Sequence, residues 1–82
     1  MPLMTKKFVF RLLAGETKNQ GSSKVSFESL WKAYQELSES AQIDKETKQP
    51  FFQAKGQLKT ALTQMEADNL LMVEGEFIIS LS

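Results

Sequence analysis

The chain has 82 residues, enough for one hydrophobic core and too few for a second. With 41% hydrophobic and 24% charged residues it is an ordinary globular composition, and the absence of Cys and His excludes disulfides, thiolate chemistry, imidazole bases and nearly every zinc ligand set. The zero net charge is unevenly spread: residues 1–24 carry five cations against Glu16 alone, whereas residues 61–82 carry four acids and no Lys or Arg, so a phosphate-binding surface is expected from the first two thirds of the chain.

In chain order, "PLMTKKFVFRLLAG" places Pro2 near a helix start and Met4, Phe8 and Leu12 at helical spacing, with Val9 and Leu13 widening the stripe. Phe8, Phe10 and Leu12 also alternate, which leaves a strand open. A helix from Leu3 to about Ala14, fraying at Gly15 into the loop "ETKNQGSS", is the expectation, followed by a very short strand in "KVSF". Ser26 suits the N-cap of a second helix, "FESLWKAYQEL", on which Phe27, Leu30, Trp31, Tyr34 and Leu37 form one apolar face. Trp31 and Tyr34, interleaved with Lys32, fit base stacking in type, but their place on that face predicts packing. "SESAQIDKETKQ" reads as a polar connection whose Ile43 tucks under the domain.

Pro50 suits the first turn of a third helix over residues 50–69, with Phe51, Ala54, Leu58, Ala61, Leu62 and Met65 on its buried face and Asn69 as left-handed terminator. Gly56 costs that helix about 1 kcal/mol. Residues 70–82 contain two apolar runs separated by Glu74, Gly75 and Glu76, the pattern of a tight hairpin. If Val73 pairs with Glu76, then Leu70, Met72, Phe77, Ile79 and Leu81 face the core and Leu71, Val73 and Ile78 face outward. A one-residue change in loop register swaps some of these assignments, which leaves the members of the outer strip open but not its existence. The chain thus divides into a first helix and loop (1–24), a second helix and loop (25–49), a third helix (50–69) and a hairpin (70–82), all in one domain.

This order, helix, short strand, helix, helix, β-hairpin, predicts an α+β winged helix, a three-helix helix-turn-helix core with a C-terminal hairpin and a very short wing. "ALTQMEADNLLMVEGEFIISL" resembles the end of the third subunit of the minichromosome-maintenance helicase. "VSFESLWKAYQEL" is similar to the second helix of winged-helix domains in the origin-recognition and cell-division-cycle AAA+ initiators, through Val25, Phe27, Leu30, Trp31, Ala33 and Tyr34. The two stretches together cover roughly residues 25–81. No AAA+ signature is present, so the resemblance implies an appended domain without ATPase machinery, in a replication-type assembly of protein subunits. The connection from Ser38 to Gln49 has no counterpart in the helicase subunit.

The acidic residues lie on polar faces and turns, where solvated charge is the default, so no enzyme, cofactor, metal or small-molecule substrate is expected. Asp44 and Glu46 lack the fixed ligand and glycine positions of an EF-hand. The outward face of the third helix offers Gln53, Thr60, Thr63 and Gln64 as base-edge readers, with Lys45, Lys48, Lys55 and Lys59 as a phosphate-contacting rim. Glu66 and Asp68 make its far half repulsive to phosphate, so the expected contact with double-stranded DNA is weak and salt-sensitive. Phe52, about 100° from the centre of the buried stripe, either covers the neighbouring loop or anchors a partner. With Leu71, Val73 and Ile78 it forms the expected protein-docking set. The competing readings are a protein-interaction winged helix outside replication and a transcription regulator; the latter calls for a basic recognition helix, against which the acidic hairpin argues. No apolar run approaches the roughly 20 residues of a membrane span. The N-terminus lacks the pattern of a signal peptide, so a soluble nuclear or cytoplasmic protein is expected.

Overall fold

The computed structural model describes residues 3–81; the helix-start role expected of Pro2 falls outside them. Helix α1 (Leu3–Gln20) leads through strand β1 (Lys24–Ser26) to α2 (Phe27–Gln35), the short α3 (Glu39–Gln42) and α4 (Lys55–Ala67). Strands β2 (Leu71–Glu74) and β3 (Phe77–Ser80) close the chain. The three strands form one antiparallel sheet in the order β1-β3-β2. The molecule is a small α+β domain whose helices cover one side of that sheet. None of the described helices is long and apolar enough to cross a membrane.

α1 buries Val9 and Leu13 completely and half-buries Phe8, Phe10 and Leu12, which settles the helical alternative for this segment. The expected fraying at Gly15 does not occur. The polar stretch "ETKNQ" stays helical because Gln20 donates to Glu16 one turn earlier and Thr17 Oγ1 donates to the Ala14 carbonyl. The helix stops instead at Gly21, whose φ of +65° allows Ser22 N–H to donate to the Thr17 carbonyl in a Schellman closure.

Ser26 caps α2 as expected, its hydroxyl accepting from Ser29 N–H at 3.1 Å. Leu30 and Tyr34 are buried, and Trp31 stacks on Tyr34 with ring centroids 5.4 Å apart, so both aromatics pack rather than face a ligand. The connection from residue 36 to 54 holds more structure than its polarity suggests. Ser38 caps α3, and the Gln42 side chain donates to the carbonyls of Tyr34, Gln35 and Leu37, gathering the chain at and just after the end of α2. Ile43 and Pro50 then form an isolated bridge around a tight turn in which buried Asp44 accepts from Glu46 N–H.

α4 begins at Lys55, five residues later than Pro50. Phe51 and Phe52 are held outside the helix: Phe51 N–H donates to the Gln42 carbonyl, and Phe52 N–H donates to the hydroxyl of Tyr34, which in turn donates to the Gln42 carbonyl. Phe52 is therefore a core residue, 4% exposed, which corrects its expected role as an exposed anchor. Beyond this point the helix is as expected. Leu58, Ala61, Leu62 and Met65 are buried, and Asn69, with φ +61°, ends it through Leu70 N–H to the Met65 carbonyl and Asn69 N–H to the Glu66 carbonyl.

In the hairpin Glu74 pairs with Phe77, so the two-residue turn is Gly75-Glu76, one position beyond the expected Glu74-Gly75. Gly75 has φ +63° at the first turn position, the requirement of a type II′ turn. Either register groups Leu71, Val73 and Ile78 on one face and Met72, Phe77 and Ile79 on the other, and it is the first face, not the second, that turns toward the helices. Leu71 and Ile78 are fully buried and Val73 packs against the core, whereas Met72, Phe77 and Leu81 are exposed. The row Val25, Ile78, Val73 across the three strands is what the helices cover. The expected docking strip of Leu71, Val73 and Ile78 is thus core.

Candidate nucleic-acid interface

At 100° per residue the buried face of α4 lies opposite Gly56, Thr60, Thr63 and Ala67, which with Gln64 are all exposed. The Thr60 and Thr63 hydroxyls donate to the carbonyls of Gly56 and Lys59, both at 3.0 Å, which spends their protons on the helix and leaves their oxygens able to accept. Gln53 precedes the helix and is exposed; its N–H donates to Gln57 Oε1 at 2.7 Å, which organises a helix start whose cap residue, Ala54, has no side-chain oxygen. Residues 53, 60, 63 and 64 therefore lie on or just before one uncharged polar helix face.

The basic residues fall into two groups. Lys45 and Lys48 are exposed on the turn between Ile43 and Pro50, Lys48 with φ +62°, and belong to a different element from α4. Lys55 and Lys59 flank α4 where it meets α2. Both ammonium groups lie over the Phe27 ring, 5.7 and 5.4 Å from its centroid, and Lys55 is also ion-paired with Glu28. The hairpin turn reaches the same place, since Phe27 N–H donates to the Glu76 carbonyl at 2.7 Å. Phe27, Glu28, Lys55, Lys59, Gly75 and Glu76 thus line a shallow cleft of about 400 Å³ with Gly56. Its two lysines are matched by two glutamates, so the cleft itself carries no excess of positive charge.

The far half of α4 is less hostile to phosphate than its sequence implies. Glu66 turns away from the outer face and accepts from Val73 N–H at 2.7 Å, the outward-pointing amide of edge strand β2. Asp68 is ion-paired with Lys6 of α1 at 3.0 Å. Both carboxylates are engaged within the domain, Glu66 by the strand that follows α4 and Asp68 by a residue of α1 more than sixty positions away, and residue order carried no signal for either.

A second open groove, of about 570 Å³, runs between α1 and α2 and is lined by Phe8, Arg11, Leu12, Gly15, Ala33 and Leu37 among others. Among the described residues no three acidic side chains come together as a metal site. In comparisons with known proteins, no family model, no curated protein and no solved structure matches the chain.

Proposed function

We propose that this chain is a winged-helix domain that acts by binding, laying the outer face of α4 against duplex DNA with weak, salt-sensitive affinity. The observation that carries the reading is the arrangement of α4 itself. It is anchored by Leu58, Ala61, Leu62 and Met65 on one side, and it presents Thr60, Thr63 and Gln64 uncovered on the other, with Lys55 and Lys59 on its flank. With the four-residue α3 set aside, the order is helix, strand, helix, helix and hairpin, with β1 beside β3, the order in which such a domain offers a helix to the major groove. The connection between α2 and α4 is far longer than the three or four residues of a simple helix-turn-helix. α3 and the Asp44 turn are packed additions to that plan.

A place in DNA-replication initiation, among protein subunits of such an assembly, is part of the proposal and rests on the resemblance of residues 25–81 to the domains named above. The second reading is a domain that binds only protein. It is favoured by the balanced charge of the cleft, where Glu28 and Glu76 offset Lys55 and Lys59.

Fluorescence anisotropy with a labelled duplex at low salt separates the two. Glu28→Gln releases Lys55 from its ion pair and is expected to tighten binding about threefold to tenfold, whereas Lys59→Ala weakens it and lowers the salt slope by about one. A duplex that binds none of the three leaves the protein-only reading, and one that binds all three equally moves the DNA contact away from α4.

A further inference from the structure

The outer face of the sheet, opposite the helices, is apolar at its centre and charged at two corners. The pairing register sets Lys24, Ile79 and Met72 in one row across the strands and Ser26, Phe77 and Glu74 in the next. Leu81 continues the β3 column. Met72 is 45% exposed, Phe77 40% and Leu81 52%, and Ile79 is half-buried between them. A face of four apolar side chains clustered on two adjacent strands, β2 and β3 with its continuation, is a docking surface rather than scattered surface hydrophobicity.

The corner charges say what fits it. Lys24 on β1 and Glu74 on β2 stand at diagonally opposite corners, and Lys24 Nζ lies 4.6 Å from the centroid of the Phe77 ring, which keeps the ammonium on this face instead of off the sheet edge. We propose that the occupant is a second copy of this chain, packed sheet to sheet about a two-fold axis. With the axis lying in the face close to the Ser26 to Met72 diagonal, Lys24 of one copy meets the partner's Glu74, and the same pair recurs in reverse. An isologous contact demands such self-complementarity. The apolar residues of the two copies meet between the two ion pairs.

Three strands about 4.8 Å apart and about four residues long make a face roughly 14 Å on a side. That is well below the roughly 800 Å² per partner of a stable complex, so the association is weak and depends on concentration and salt. It does not rest on the DNA reading, because it uses the side of the sheet that α4 does not touch.

Sedimentation velocity without DNA, at low salt and at about 1 mM protein, where an interface of this size associates, is the test. Lys24→Glu puts acid against acid at both corners and Glu74→Lys puts base against base, so each variant alone is expected to self-associate about tenfold more weakly than the parent. An equimolar mixture of the two restores opposite charges at both corners and is expected to associate at least as well as the parent chain. Isotope-filtered NOEs on the unmodified protein, between Met72 or Ile79 methyls of one copy and the Phe77 ring of another, test the same contact without any substitution. A parent chain that stays monomeric, single variants that associate unchanged, a mixture that fails to recover or missing intermolecular NOEs would each overturn the proposal.

Discussion

Tyr34 shows how one side chain organises the least regular part of this molecule. Its ring is the hub of an aromatic cluster, edge-on to Phe8 and Phe52 and stacked with Trp31, while Phe8 stacks on Phe51 at 4.1 Å. Its hydroxyl accepts from Phe52 N–H and donates to the Gln42 carbonyl, which ties the chain before α4 to the end of α3. Tyr34→Phe keeps the packing but strands a buried amide, and a loss of about 1–3 kcal/mol is expected in urea unfolding. Gly15 is the opposite case. It sits inside α1, and a Cβ there meets nothing within 4 Å, so Gly15→Ala is expected to stabilise by about 0.5–1 kcal/mol, read from the same urea curves.

At the scale of elements the face that the hairpin turns toward the helices decides which of its residues are core and which are surface. Ile78→Ala is expected to cost about 2–5 kcal/mol and Met72→Ala well under 1 kcal/mol; the opposite ranking by thermal unfolding would put the other face of the hairpin against the helices. Gly75→Ala forces a side chain into positive φ and is expected to cost about 1–2 kcal/mol by the same method. Elements governed by local rules were readable in the residues: the Ser26 cap, the α2 stripe, the Asn69 terminator and the buried face of α4. The buried face of the hairpin was not, because both apolar runs have hydrophobic residues on both faces, so alternation could choose neither which face turns inward nor between turns at Glu74-Gly75 and Gly75-Glu76. The start of α4 was missed for a related reason. Pro50 satisfies a helix's first turn, but tertiary bonds from Phe51 and Phe52 to Gln42 and Tyr34 hold it in a bridge with Ile43.

For the molecule as a whole, charge that looks segregated along the chain is redistributed by folding. The basic N-terminal helix reaches the acidic end of α4 through Lys6 and Asp68, Lys55 meets Glu28, and Glu66 covers the open edge of β2. The candidate site was therefore legible in its residue types and in the outward face of α4, but not in its electrostatics, which depend on these long-range pairings. Phe52, Leu71, Val73 and Ile78 left the list of surface residues, while Met72, Phe77 and Leu81 took their place. The central claim, that α4 offers its outer face to duplex DNA, is tested most directly by amide chemical-shift titration of labelled protein with a short duplex at low and physiological salt. The account predicts shifts gathered on residues 53–64, with Thr60, Thr63 and Gln64 among them, that fade as salt rises. An absence of shifts at low salt, or shifts confined to the sheet face, would contradict it.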